Sequence, residues 1–132
     1  MKTSENLHVL LLKGGDSSER EVSLDTATEC AKAMKQIGCK ITEVDISESN
    51  ISNLTKINAD ICFNALHGGY GEDGSIQGLL NLMKMPYTHS GVATSSIAMN
   101  KINFKRIITE ATMFSNDPIY FPKTLQIKNN GK

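Results

Sequence analysis

The stretch that decides the fold of this chain is His67-Gly68-Gly69-Tyr70-Gly71-Glu72-Asp73-Gly74-Ser75-Ile76-Gln77-Gly78. It follows Ile61-Cys62-Phe63-Asn64-Ala65-Leu66, a run with the length and apolar character of a strand buried on both faces. Four glycines fall within its first eight residues, and such a loop can approach a small molecule closely and present polar groups to it. The stretch therefore predicts a ligand-binding loop at the end of a buried strand. A plain solvent-exposed turn is the alternative.

The beginning of the chain predicts a strand, a tight turn and a helix. Val9 to Leu12 is a short apolar run, and Gly14-Gly15 ends it. Ser18 and Glu21 have the Ser-x-x-Glu spacing of a capping box, which predicts that a helix starts there, and Gly38 is a natural residue to end it. The predicted buried face of this helix has apolar residues at spacings of three and four, at Leu24, Ala27, Ala31 and Met34.

The later segments continue the alternation of strands and helices. Residues 41–46 alternate as in a half-exposed strand near a sheet edge, and residues 47–58 predict a short crossover helix. After the glycine-rich stretch we expect a helix over residues 76–83, a short fourth strand at Tyr87-Thr88, and a loop with a helical turn over residues 91–99. Asn100 is expected to cap a last helix. Its predicted inward face holds Ile102, Ile107, Ile108 and Ala111.

This order of elements predicts an α/β fold, a Rossmann-like parallel sheet of about four strands with helices on both faces. We expect a substrate-binding domain in residues 1–115, and in residues 116–132 a linker that starts a further domain. In an open parallel sheet ligands bind beyond the C-terminal ends of the strands. If the first and third strands are neighbours, the loops at residues 14–21 and 67–74 meet at that edge.

Composition excludes several classes of function. The chain has 14 Lys and Arg against 14 Asp and Glu, so no charge excess attracts nucleic acid or an acidic membrane. Its first apolar run is too short for a signal peptide or a membrane span, which predicts a cytoplasmic protein. Three cysteines without paired spacing predict free thiols, and no metal site is expected.

The loop at residues 14–21 combines an acid with a helix N-terminus. Free N–H groups near Arg20, Glu21 and Val22 suit an anion, whereas Glu19 beside them would repel a phosphate. A ligand with both charges, an amino acid, reconciles the two. His67 could donate a hydrogen bond to a carboxylate or exchange a proton near neutral pH, which makes Glu19 and His67 the candidate catalytic residues. The alternatives are that Glu19 is a surface acid at a favourable helix end and that His67 is satisfied by a backbone carbonyl. The glycines of this loop fit neither G-x-G-x-x-G nor G-x-x-x-x-G-K-[ST], the two sequence patterns for phosphate binding.

Two motifs resemble the D-alanine–D-alanine ligase family of ATP-grasp enzymes. The first is Gly14-Gly15-Asp16-Ser17-Ser18-Glu19-Arg20-Glu21-Val22-Ser23-Leu24, which is similar to the family's first loop and helix start. The second is residues 67–78, which fit the family signature H-G-x-x-G-E-[DNT]-G-x-hydrophobic-[QSA]-[GSA]. Shorter matches follow in family order at Pro86-Tyr87-Thr88, Ser90-Gly91 and Met99-Asn100-Lys101, and the resemblance extends to about Pro122.

The resemblance implies a pre-ATP-grasp domain and a two-step reaction of bacterial cell-wall (peptidoglycan) synthesis. ATP phosphorylates the carboxylate of one D-alanine, and the amine of a second attacks the acyl phosphate. By resemblance, Glu19 holds the first substrate's ammonium, and the Val22 amide and His67 lie on its carboxylate side. Lys101 would reach the nucleotide phosphates, although a solvated helix lysine is the alternative reading. Glu72 and Asp73 are expected to shape the loop.

The full enzyme is expected to use ATP with Mg²⁺, or Mn²⁺, and to be a homodimer. The ATP-grasp domains of the family are absent from this sequence, so we expect the chain to bind no cofactor tightly and to be inactive alone. Two other hypotheses stay open: a stand-alone amino-acid-binding or regulatory module, and the N-terminal domain of another ATP-grasp ligase.

Overall fold

A computed structural model describes residues 6–46, 51–117 and 119–125 of the chain. Within these ranges the strands are β1 (His8–Gly14), β2 (Lys40–Ile46) and β3 (Ile61–Asn64). The α-helices are α1 (Arg20–Gln36), α2 (Ile51–Leu54), α3 (Ser75–Leu82), α4 (Val92–Met99) and α5 (Lys101–Thr112). A 3-10 helix, Gly69–Gly71, lies inside the glycine-rich loop.

The three strands form a parallel sheet in the order β2-β1-β3. β1 and β3 are therefore neighbours, as the doubly wound prediction required, and β2 lies at an edge. Because both strands run in the same direction, Gly14 at the end of β1 and Asn64 at the end of β3 reach the same rim of the sheet. This rim is where the two predicted loops begin.

The predicted fourth strand is wrong, because Tyr87 makes a single parallel bridge to Cys62 and no ladder. The backbone N–H of Cys62 donates to Pro86 O at 2.7 Å, and that of Thr88 donates to Cys62 O at 3.0 Å. Pro86 has no N–H of its own to extend the pairing, and the left-handed backbone of His89 (φ 83°) ends the extended segment. The described sheet thus has three strands and one added bridge.

Helices cover both faces of this sheet, as predicted. Leu11 of β1 packs against Ala27 and Ala31 of α1 on one face. Successive strand residues point to opposite faces, so Leu10 and Leu12 belong to the other core cluster. That cluster also contains buried side chains from β2, α2, β3, α3 and the loops: Ile46, Leu54, Cys62, Leu66, Ile76, Leu80 and Met85. The central strand is buried on both sides, which accounts for its continuous aliphatic sequence.

Helix α1 starts where expected but without the predicted capping box. Its N-cap residue is Glu19, and no side chain caps the helix. The Ser17 hydroxyl accepts the backbone N–H of Glu19 at 3.1 Å, so Ser17 and not Ser18 organises this turn. At the other end the prediction for Gly38 is confirmed, because it adopts φ 86° and its N–H donates to Lys35 O at 3.1 Å.

The last two helices depart from the sequence prediction. Residues 92–99 form the full helix α4 and not a loop with one turn. The Asn100 side chain does cap α5, accepting from the backbone N–H of Asn103 at 3.0 Å. The expected inward face of α5 is wrong, because no residue of this helix is buried and Ile107 is 43% exposed. The reason is that α5 packs mainly on α4 and not over the sheet.

Two predictions fall partly outside the described residues. The crossover helix expected in residues 47–58 is the short α2 at Ile51–Leu54, and residues 47–50 lie outside the described ranges. Residue 118 and residues 126–132 of the expected linker also lie outside them. In the described part of the chain, no helix has the length and apolar character that crossing a bilayer requires.

Candidate functional site

The two predicted loops meet at the C-terminal rim of the sheet, and Ser17 joins them. Its hydroxyl donates to the backbone carbonyl of His67 at 2.6 Å and accepts the N–H of Glu19. The backbone of Gly68 lies directly against the carboxylate of Glu19: a methyl group on Gly68 would lie only 2.5 Å from Oε2. Glu19 and His67 are therefore on the same side of the molecule and within the same small region.

The imidazole of His67 is held by helix α1. Its Nε2 lies 3.1 Å from the hydroxyl of Thr26, and the residue is half-buried. Among the described residues no backbone carbonyl is hydrogen-bonded to the ring, and Nδ1 has no hydrogen-bond partner there. The geometry does not match the alternative in which a carbonyl satisfies this histidine.

The start of helix α1 leaves two backbone donors available. The N–H of Arg20 donates to Ser17 O at 3.2 Å, whereas those of Glu21 and Val22 have no acceptor among the described residues. The side chain of Val22 is 52% exposed, so solvent reaches this end of the helix. Val22 thus offers the site an amide, one turn of helix away from the carboxylate of Glu19.

An ion pair that the sequence did not predict fixes the first loop. The Arg20 guanidinium makes paired hydrogen bonds to Asp45 at the end of β2, at 2.8 and 2.5 Å, and a further bond to Gly15 O at 3.2 Å. The hydrogen bonds from Arg20 hold the pKa of Asp45 below its ordinary value. Arg20 therefore holds the loop backbone through Gly15, and its positive charge is already paired with the carboxylate of Asp45.

A cleft of about 420 Å³ opens beside His67. Its walls come from α1, the glycine-rich loop, and α4 with its flanks, and include Thr26, His67, Glu72, His89, Thr94 and Lys101. The amino group of Lys101 donates to Ala98 O at 3.0 Å and is exposed at this wall. His67 and Lys101 thus share one cleft, and Glu19 is not among the residues that line it.

The glycine-rich loop is shaped by three polar side chains. Asp73 accepts the backbone N–H of Ser75 at 2.8 Å at the start of α3, which confirms its expected role in shaping the loop. Asn64 and Gln77 each donate a side-chain N–H to the carbonyl of Gly71 at 2.8 Å, and both are buried. Sequence reasoning missed this pair. The available signal was a polar residue at an otherwise apolar position in each element.

Gln77 retains one unused polar atom. Its Oε1 is buried and has no hydrogen-bond partner among the described residues. The opposite amide orientation would turn this oxygen toward the Gly71 carbonyl, so the hydrogen bond to Gly71 fixes the orientation.

Metal binding finds no support in the described residues. They hold no cluster of three or more His, Cys, Asp or Glu side chains that could ligate an ion. Cys30, Cys39 and Cys62 are free thiols, as predicted, and burial raises the pKa of Cys62 to about 12.

Comparisons with known proteins agree on one family. A family model described as the D-ala D-ala ligase N-terminus matches residues 42–90. A D-alanine–D-alanine ligase of Parvibaculum lavamentivorans is 42% identical over 120 residues, which are 91% of this chain and 39% of that protein. One from Methylobacterium radiotolerans is 51% identical over 104 residues, 79% of this chain and 34% of that protein.

A solved structure gives the same result. The D-alanine–D-alanine ligase of Bacillus anthracis complexed with ATP superimposes with a TM-score of 0.72 at 32% identity, covering 80% of this chain and 36% of that one. The chain thus spans 34–39% of the length of these three proteins. With its sheet order, its loops and these relatives in agreement, the chain is similar to the N-terminal part of D-alanine–D-alanine ligases.

Proposed function

We propose that this chain is the N-terminal half of a D-alanine–D-alanine ligase and that it binds the first D-alanine at the rim between its two loops. The observation that supports this best is the junction at Gly68. There the carboxylate of Glu19 lies against the loop that begins with His67, and Ser17 bonds to both loops.

The charges at this rim suit a zwitterion. Glu19 would accept hydrogen bonds from the ammonium of D-alanine, which is a charge-assisted contact. The amide of Val22 and the imidazole of His67 would donate to its carboxylate, helped by the positive end of the helix dipole. An anion without an ammonium would face Glu19 unpaired, so the site should prefer amino acids to simple carboxylates. Glu19 and His67 are therefore our candidates for groups that touch the substrate.

Part of the nucleotide site fits this chain and part does not. Lys101 has an exposed amino group on the same cleft as His67, which fits a phosphate oxygen. The described residues offer no ligand cluster for Mg²⁺ or Mn²⁺. ATP, when bound, supplies the phosphoryl group that activates the substrate's carboxylate. We therefore propose that residues 1–115 bind the substrate and that residues 116–132 lead into the part of the enzyme that holds the adenine and the metal.

We extend the proposal to the setting of the reaction. The resemblance supports a cytoplasmic enzyme of peptidoglycan synthesis that is a homodimer in its full-length form. D-alanine and the ATP-grasp domains are its proposed partners. The chain alone should release no phosphate from ATP and Mg²⁺ in the presence of D-alanine.

Titration of the isotope-labelled chain with D-alanine, followed by NMR, tests the binding site. We expect shifts concentrated at residues 14–22 and 67–70, with weak affinity. Glu19→Gln should weaken binding by about tenfold, since it removes one charged partner of a charge-assisted hydrogen bond. Glu21→Gln is the matched control, because Glu21 is an exposed acid two residues away, and it should change affinity by less than about twofold.

Two results would contradict the proposal. One is an equal effect of the two substitutions, which would mean that only the general charge of the helix start matters. The other is tight binding of D-alanine by the chain alone, which would favour a stand-alone binding module. D-lactate, which lacks the ammonium, serves as the ligand control and should bind more weakly than D-alanine.

A further inference from the structure

Thr26 uses its hydroxyl differently from two other helical threonines in the described part of the chain. Thr28 donates its hydroxyl proton to Leu24 O at 2.9 Å, and Thr112 donates to Ile108 O at 2.8 Å. This bond to the carbonyl four residues earlier is a common use of a threonine in a helix. Thr26 has no such bond among the described residues, and its Oγ1 lies 3.1 Å from Nε2 of His67. Its proton is therefore available to the imidazole.

We propose that Thr26 is a positioning residue that donates its hydroxyl proton to Nε2 and so holds neutral His67 as the Nδ1–H tautomer. A neutral imidazole has one donor and one acceptor nitrogen. If Nε2 accepts from Thr26, the ring proton must be on Nδ1. A single hydroxyl on helix α1 would then determine whether Nδ1 of His67 is a hydrogen-bond donor or an acceptor.

The inference rests on the proposed function in one respect. There His67 donates a hydrogen bond to the substrate's carboxylate, and Nδ1 is the ring nitrogen that has no partner in the described part of the chain. With the proton on Nδ1, the neutral ring can donate. With the opposite tautomer, a lone pair would face the carboxylate, and two acceptors cannot bond to each other. Thr26 thus makes the imidazole a donor without requiring that it carry a charge.

Nitrogen NMR of the histidine rings tests this directly on the chain as it is. Protonated and unprotonated ring nitrogens resonate well apart, so a ¹⁵N-labelled sample under alkaline conditions, where imidazole is neutral, reports the tautomer. We expect wild-type His67 to be mainly Nδ1–H. Thr26→Val removes the hydroxyl at nearly the same shape and should shift the tautomer ratio toward Nε2–H by about fivefold, the factor that corresponds to one ordinary hydrogen bond. Thr26→Ser keeps the hydroxyl and should restore the wild-type ratio.

An Nε2–H tautomer in the wild type would overturn the proposal, and that spectrum decides the question even if Thr26→Val does not fold. An unchanged ratio in a folded Thr26→Val would overturn it as well. A purely structural role for Thr26 would lower stability without moving the tautomer. Failure of the proposed function is a separate result: D-alanine would then cause no shifts at His67, whatever its tautomer.

Discussion

Substituting Gly68 by alanine should disable the proposed site while leaving the domain folded. Gly68 adopts φ 67° and ψ 177°, a region almost confined to glycine, where another residue costs about 1–3 kcal/mol. The new methyl group would lie 2.5 Å from Oε2 of Glu19 and 3.2 Å from the hydroxyl of Ser17. The Glu19 side chain is flexible and exposed, so it would move away at little cost in stability. Since domains of this size are typically stable by about 5–15 kcal/mol, the variant should fold.

The loss should therefore appear in binding more than in stability. We expect Gly68→Ala to lower the free energy of unfolding by about 1–3 kcal/mol in urea titrations. D-alanine affinity, measured by NMR titration, should fall by about tenfold or more, because the carboxylate that accepts the ammonium has been displaced.

Gly69→Ala is the matched control for this experiment. Gly69 also has a positive φ, 46°, but a methyl group there would meet nothing closer than Cβ of Ser17 at 3.8 Å. This variant carries backbone strain of about 1–2 kcal/mol without the collision. If Gly69→Ala weakens D-alanine binding as much as Gly68→Ala does, loop strain and not the position of Glu19 controls the site, and our reasoning is refuted.

Three further predictions concern stability and reactivity. The pKa of Asp45 is lowered, mainly by hydrogen bonds from Arg20. The ion pair therefore stabilises the fold above the carboxyl's ordinary pKa of 3.8, and this contribution is lost as pH falls through the lowered pKa. When the free energy of unfolding is measured between about pH 6 and pH 2, Asp45→Asn should flatten its dependence on pH in that region. An unchanged acid profile in Asp45→Asn would contradict this. Asn64→Ala should cost about 1–3 kcal/mol in chemical denaturation, because the buried N–H of Leu66 loses its acceptor and the Gly71 carbonyl loses one of its two side-chain donors; a variant as stable as the wild type would contradict this. Cys62 should resist thiol reagents in the folded chain at about pH 8, since burial raises its pKa to about 12, and it should react on unfolding; rapid labelling of the native protein would contradict this.

The sheet and its loops could be predicted because their signals are local. The apolar run at residues 61–66 followed by glycines indicates a buried strand and a binding loop without knowledge of any partner. Glu19 and His67 came from the same reasoning, since Glu19 lies in the loop after the first strand and His67 begins the loop after the buried one. The two loops meet because β1 and β3 are neighbours, an arrangement that the usual strand orders of doubly wound sheets favour.

What the sequence did not predict depends on contacts between distant segments. The pair of Arg20 and Asp45 requires the register of β2 against β1, which puts Asp45 level with Lys13 at the rim. The apolar spacing of α5 indicates an inward face, yet the helix lies against α4 and none of that face's side chains is fully buried. The periodicity of a helix sequence shows which face of the helix is apolar, but it does not show which element packs against that face.

The strand order also constrains how the site is assembled during synthesis. β1 emerges first and is central, but residue 8 pairs with residue 40 and residue 9 with residue 61. Such distant pairings make folding slow and leave early apolar segments without partners. On the ribosome, the aliphatic run at Leu10–Leu12 can pair with β2 first but is paired on both sides only after β3 has been made, and Glu19 meets the loop of His67 only then. An arrest that releases a shorter nascent chain would expose this run to chaperones and proteases.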